Sequence, residues 1–380
     1  MIYLDNNATT MPDPAVIEAM MPFWTEHYGN PSSLHLAGQA ARHAVETARA
    51  EVARLVNAKP RDIVFTSGGT EANNLAILGM LDAHPTKRHL VATAVEHVAI
   101  HSLVERLAAR GFRVSFVPVN PMGHLDLAAF ERELSDDTAL AAVMHVNNET
   151  GNIFPIAEVS RMAADRNVPL HIDAVQAAGK LPLDVTAHPV STMAVSAHKI
   201  HGPKGTGALY VASKTRLRSQ LVGGHQERDL RPGTENVAGI VGFGVAARLA
   251  QSLLDSEMKN VAALRDRLEF GVQKLVSGAV IIGDWNQRIA NTTCIAFEKL
   301  EAEAILIGLS QRGVCASSGS ACSSGALEPS HVLRAMNVPA DLAKGAIRFS
   351  LSRFTTECEI DEAIGTIADV ILKLASFARH

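Results

Sequence analysis

Between about residue 40 and residue 260 the chain alternates amphipathic stretches with short apolar runs, and this rhythm constrains the fold more than any other feature. "HAVETARAEVARLV" leads to "DIVFTS", "EANNLAILGML" to "HLVATAVEH", "AIHSLVERLAARG" to "RVSFVPV"; "TALAAVMHV", "IAEVSRMAADRN" and "PLHIDAVQ" continue the series. Helix and strand in strict alternation make right-handed βαβ units, so the expectation is an α/β fold with a large, mostly parallel sheet and helices on both faces. Runs such as "VMHV" and "LHIDAV" are apolar throughout and polar at their ends, as doubly buried strands are. Functional loops are then expected at the carboxyl ends of the strands.

After about residue 255 the pattern changes. A long helical stretch, "EMKNVAALRDRLEFGVQKLV", leads to "AVIIGD", "NTTCIAFE", "AEAILIGLSQRG" and "AIRFSLSR", a mixed α+β arrangement. At 380 residues the chain exceeds what one hydrophobic core usually supports. The expected division is a large domain over 15–255 and a smaller α+β domain built from 1–14 and 256–380.

With 47% hydrophobic and 19% charged residues, the composition is that of a folded chain rather than a disordered one. A net charge of -4 and the lack of any Lys/Arg block argue against a nucleic-acid partner. "MIYLDNNATT" has no secretion-signal character, and no run of residues reads as a membrane span, so a cytoplasmic location without membrane association is expected. Cys294, Cys315, Cys322 and Cys358 are too scattered for a disulfide framework and lack zinc-ligand spacing.

Four strand-end loops carry candidate chemistry. In "FTSGGTEANN" a strand ends at Phe65 or Thr66, Gly68 and Gly69 turn the chain, and Thr70 opens a helix whose free N–H groups suit a phosphate; Thr70 as a simple N-cap is the alternative. In "HIDAVQ", Asp173 follows a buried strand with Gln176 three residues on. A carboxylate there needs a cationic partner, either a protonated heterocyclic nitrogen or a structural arginine. In "VSAHKIHGPKGTGALYV", the strand Met193–Val195 delivers Ser196, His198 and Lys199 to a glycine turn, while Lys204 reads as solvated. Burial at a strand end favours the neutral amine that acts as a nucleophile. In "TAVEHVAI", His97 lies just beyond a strand. An amine able to form a Schiff base, an acid for a ring nitrogen, a phosphate cradle and a flat imidazole together describe a pyridoxal phosphate pocket.

"YLDNNATT", "GNPSSLH", "FTSGGTEANN", "NNETG", "HIDAVQAAGK", "SAHKIHGPKG", "RPGTEN", "SSGSACSSG", "EPSHVLRAM" and "IRFSLSRFTT" together span nearly the whole chain. In these motifs the sequence resembles the cysteine desulfurases, fold-type-I pyridoxal 5′-phosphate enzymes, and within them the NifS type. The resemblance implies that Lys199 bonds the cofactor and shuttles protons, Asp173 pairs with the pyridinium nitrogen, and Gln176 and Asn148 contact the phenolic oxygen. It implies that His97 stacks on the ring, that Gly69, Thr70, Ser196 and His198 hold the phosphate, and that Thr234 completes the cradle from the second subunit of a homodimer. Arg348 would bind the substrate carboxylate and Cys322, on a serine- and glycine-rich loop, would take the sulfur of L-cysteine as a persulfide, leaving L-alanine.

The acceptor implied is an iron–sulfur scaffold protein (IscU/NifU-like), nitrogenase-associated, with Cys322 as a shared cluster ligand. Pro232 and the pair Asp229-Leu230 depart from the family pattern beside the implied subunit contact, which bears on loop conformation. A selenocysteine lyase or aminotransferase of the same fold, and a non-catalytic partner subunit, are the rival readings; an aminotransferase has no need for a thiol on that loop, and the intact Lys199, Asp173 and His97 argue against a non-catalytic subunit.

Overall fold

The computed structural model describes residues 1–319 and 329–377. In chain order its strands are β1 (Ile2–Tyr3), β2 (Ile63–Thr66), β3 (His89–Thr93), β4 (Arg113–Val117), β5 (Thr138–Met144), β6 (Leu170–Asp173), β7 (Thr192–Ser196), β8 (Gly207–Val211), β9 (Ala279–Ile282), β10 (Thr292–Phe297), β11 (Val314–Cys315) and β12 (Ala346–Ser350). β2 to β8 form one seven-stranded sheet in the order β2-β8-β7-β6-β5-β3-β4. The β3, β4, β5, β6 and β7 pairings are parallel, and β8 runs antiparallel to both its neighbours, β2 and β7. Six carboxyl ends therefore face one edge of the sheet.

Every residue of β2, β3, β5, β6 and β7 is buried, which is why those stretches read as unbroken apolar runs. One face packs Val45, Val52, Val159 and Phe243 from helices Leu36–Leu55, Ile156–Asp165 and Val237–Leu275. The opposite face packs Leu75, Ile77, Met80, Ile100 and Leu107 from helices Gly69–Ala83 and Val98–Ala109. Gly244 lets two of these helices touch backbone to backbone: a Cβ there would sit 2.6 Å from the Ala48 Cα.

Val237–Leu275 is one continuous helix of 39 residues. It gives Ile240, Phe243 and Ala247 to the first core and Val261, Leu268 and Val272 to a second, shared with β1, β10, β11, β12 and helix Glu357–Phe377. By length and composition this helix could cross a membrane, a feature the residue-by-residue reading passed over; half of its most apolar window is buried in the protein. Beyond position 256 the chain also returns to the large sheet, since Val332, Leu333, Met336 and Ala343 join the first core.

The loop holding Asp229-Leu230 has a defined form. Glu227, Arg228 and Asp229 all take positive φ (44°, 58° and 63°), each at a cost of about 1–3 kcal/mol. Buried contacts hold it: Arg49 Nη1 and Nη2 each donate to a Glu227 carboxylate oxygen at 2.7 Å, and the Phe65 N–H donates to the same group at 2.7 Å.

Candidate functional site

The cradle begins where β2 ends. Helix Gly69–Ala83 starts at Gly69, so Thr70 is its exposed second residue and Gly68 the cap position, which corrects the N-cap alternative for Thr70. Gly69 is required by packing as well as by access, because a Cβ would meet Val175 Cγ2 at 2.6 Å. Facing this turn, β7 ends at Ser196, whose buried hydroxyl oxygen has no hydrogen-bond partner; the buried Thr206 hydroxyl oxygen has none either. Buried polar atoms are normally paired. The unpaired Ser196 hydroxyl, which faces the Gly68 turn that opens this helix, fits a phosphate group, whereas the Thr206 hydroxyl lies against Gly239 of helix Val237–Leu275. His198, in the turn after β7, touches Thr9 Oγ1 at 3.2 Å, and burial with the charges of Lys199 and Lys204 pushes its imidazole down to about 4, so it is neutral at physiological pH.

The same turn carries Lys199. Its Nζ donates to the carbonyl oxygens of Asn7 and Ala8, the latter at 2.8 Å. Gln176 Nε2 donates to the same Asn7 carbonyl at 2.9 Å. Lys180 Nζ donates to Gln176 Oε1 at 3.0 Å and so fixes which way that amide points. Lys180 is buried, and burial, then the Lys199 charge, push its amine down to about 7. Asp173, at the end of β6, is 5% exposed, and its two oxygens accept from Asn73 Nδ2 (2.7 Å) and the Val175 N–H (2.9 Å).

His97 caps helix Val98–Ala109, its Nδ1 accepting the Ala99 N–H at 3.1 Å. Burial foremost, with Lys199, His331 and Arg348 nearby, lowers its pKa against the opposing pull of Asp173, which leaves a neutral imidazole able to accept a proton. Arg348, from β12, is 4% exposed; Nη2 donates to Asp5 Oδ1 at 2.7 Å and Nη1 to the Asn148 carbonyl at 3.1 Å. Its guanidinium is thus engaged by a protein carboxylate. Asn148 meets the site here through its backbone.

Glu96, beside His97, is fully buried. Its Oε1 accepts from Thr93 Oγ1 (2.7 Å) and the Met144 N–H (2.8 Å), while Oε2 has no partner. Burial, aided by the Asp173 charge, pushes this carboxyl up to about 8 from 4.5. The folded pKa is raised, so the stability it contributes is complete below about pH 4.5 and is lost as pH rises through 8. Glu96→Gln is expected to flatten that slope by about 2–5 kcal/mol between pH 5 and 8, measured by urea unfolding. An unchanged slope would assign it to other groups.

The fold thus brings Gly69, Thr70, Asp173, Gln176, Ser196, His198, Lys199, His97, Asn148 and Arg348 to one region at the strand ends. Thr234 is exposed on the loop before helix Val237–Leu275, where its neighbours Gly233 and Glu235 line a small cavity with Ser67 and Thr206. Cys322 lies outside the described residues. Of the other cysteines, Cys294 is buried and its thiol pushed up to about 12 by burial, in keeping with packing, whereas Cys358 is exposed. Among the described residues no cluster of His, Cys, Asp or Glu could hold a metal ion. Sequence reasoning missed Asn7, Asn73, His171, Lys180 and Glu96; their only signal was membership of quoted motifs.

Comparison with known proteins agrees with this geometry. Residues 2–363 match the family Aminotransferase class-V. A protein named cysteine desulfurase from Nostoc sp. is 49% identical over 377 residues, covering 99% of this chain and 94% of that protein. Cysteine desulfurase NifS from Azotobacter vinelandii is 48% identical over 380 residues, covering 100% and 94%. Among solved structures, one described as a NifS-like protein superposes with a TM-score of 0.93 at 37% identity, covering 98% of this chain and 100% of that one. A second, SspA in complex with cysteine, gives a TM-score of 0.82 at 32% identity over 94% and 100%.

Proposed function

Because this chain belongs to the class-V aminotransferase family and, within it, to the cysteine desulfurases, we propose that its strand-end cleft holds pyridoxal 5′-phosphate and that Cys322 takes the sulfur of L-cysteine. The activity is that of a cysteine desulfurase, a sulfurtransferase. The observation that carries the cofactor reading is the convergence of Lys199, Asp173 and His97 at one sheet edge with the buried, unpaired Ser196 hydroxyl facing the Gly68 turn.

Ser196, His198, Thr70 and the Gly69 N–H would hold the phosphate, Asp173 the ring nitrogen, and Gln176 the phenolic oxygen through the second Nε2 hydrogen. When bound, pyridoxal phosphate supplies a ring that withdraws electron density from the amino acid substrate. Lys199 moves the proton at the substrate α-carbon, and neutral His97 takes the thiol proton so that the attacking sulfur is a thiolate. Arg348 binds the substrate carboxylate through a guanidinium that exchanges its Asp5 contact for the ligand's bidentate one. The Cys322 sulfur then bonds to the substrate sulfur as the carbon–sulfur bond breaks. The electron pair and a proton end on carbon as L-alanine, and Cys322 is left as a persulfide.

A homodimer is part of the proposal. Trp24, Tyr28, Leu34 and Leu36 are between 57% and 84% exposed, more apolar surface than one short segment usually leaves to water, and a second copy covering it could bring Thr234 to the partner's phosphate. As sulfur acceptor we propose an iron–sulfur scaffold protein serving nitrogenase, a reading supported by the NifS name of the Azotobacter vinelandii relative. The test of function is incubation of the cofactor-loaded protein with L-cysteine and a thiol reductant. Equimolar alanine and sulfide are expected; conversion of L-cysteine to a keto acid instead would favour the aminotransferase reading.

A further inference from the structure

Behind Asp173 stands a buried polar chain that the reaction as described does not use. His171 lies two residues before Asp173 on β6 and therefore faces the same side of the sheet. Opposite it on β7 is Thr192, its register partner, and above both is Asn73 of helix Gly69–Ala83. All three are buried, at 0%, 0% and 1% exposure. The contacts are Thr192 Oγ1 to His171 Nδ1 (2.9 Å), His171 Nε2 to Asn73 Oδ1 (2.9 Å), and Asn73 Nδ2 to Asp173 Oδ2 (2.7 Å).

Donor arithmetic fixes every proton in this chain. A carboxylate oxygen only accepts, so the Asn73 amide must turn its NH2 group to Asp173 and its oxygen to His171. His171 Nε2 must then carry the hydrogen, and Nδ1, left as the acceptor, receives the Thr192 hydroxyl. The three bonds point one way, toward the carboxylate. Aligned bonds in a dry interior polarise one another. Burial pushes the imidazole down to about 4, against the pull of Asp173, so the chain stays neutral and adds no charge that would compete with a cation facing Asp173.

We propose that Thr192, His171 and Asn73 form a one-way donor relay that orients the Asp173 carboxylate toward the cofactor's ring nitrogen, making His171 a positioning residue for the reaction. The proposal rests on the pyridoxal phosphate reading above. A loss of the relay leaves Asp173 with its Val175 N–H and one empty lone-pair direction, a poorer partner for a protonated ring.

The test uses holoenzyme reconstituted with pyridoxal phosphate carrying 15N in the ring, read by the nitrogen chemical shift at neutral pH together with kcat and KM for L-cysteine. Wild type is expected to show the protonated-ring shift. His171→Phe keeps the ring shape but not the donor; its signal is expected to move toward the neutral-pyridine value, with kcat down about tenfold, the ratio set by one buried hydrogen bond, and KM within about threefold. His171→Gln, which returns an N–H near the Nε2 position, is expected to restore the wild-type shift. A folded, loaded His171→Phe with wild-type shift and kcat overturns the relay. Should that variant fail to fold or load, Thr192→Val removes only the far hydroxyl and is expected to move the shift in the same direction by less; no movement there overturns the relay. A wild-type protein that takes up no label overturns the cofactor reading and the relay with it, whereas unresponsive variants of a loaded protein overturn the relay alone.

Discussion

Cys322→Ala is expected to lower sulfide release from L-cysteine by roughly a thousandfold or more, the scale on which removing a covalent nucleophile acts. No other cysteine is placed to replace it. The buried Cys294 thiol, pushed up to about 12, is almost never a thiolate at neutral pH, Cys315 lies in the β1–β11 pair, and Cys358 is exposed on the final helix. Because Lys199, Asp173 and Arg348 are untouched by the substitution, L-cysteine should still bind and change the cofactor's absorbance. That pattern, binding without sulfur release, separates a lost acceptor from a damaged pocket. Undiminished sulfide and alanine from the variant would exclude Cys322 as the acceptor.

Lys199→Ala is the second large effect, with turnover expected to fall by roughly four orders of magnitude. The cradle residues come from other positions, so pyridoxal phosphate should still be retained, held without a covalent bond. Borohydride treatment is expected to fix the cofactor to the wild-type chain at Lys199 and to leave the variant chain unmodified. Retention of covalent cofactor by the variant would move the role to another amine. Lys180 is the one to examine, since it is buried, pushed down to about 7, and linked to the same Asn7 carbonyl through Gln176.

Much of this site was legible before any coordinates because its residues sit where a simple rule puts them, at the carboxyl ends of buried strands. Asp173, Ser196, His97 and the Gly68-Gly69 turn follow directly from the apolar runs that precede them. Strand direction was less accessible: β8 is as apolar as its neighbours, and only its pairing shows that it runs against them. The N-terminal contribution was also hidden, because Asn7 reaches Lys199 and Gln176 across more than 160 residues of sequence through a backbone carbonyl, which no side-chain pattern encodes. His171 and Asn73 looked like filler within motifs assigned to their neighbours, and their meaning lies in which buried donor faces which acceptor. Thr70 was read as one candidate cap because Ser and Thr favour that position, yet the cap is Gly68, two residues earlier, and Thr70 is left exposed on the first turn.

Transfer of sulfur from L-cysteine to Cys322 is tested most directly by peptide mass spectrometry of the cofactor-loaded protein after brief exposure to L-cysteine without reductant. One additional sulfur on the peptide containing Cys322, removed by a thiol reductant and lacking from the peptides of Cys294, Cys315 and Cys358, is the expected result. Formation of alanine with no sulfur on Cys322, or with the added sulfur on another cysteine, would contradict it.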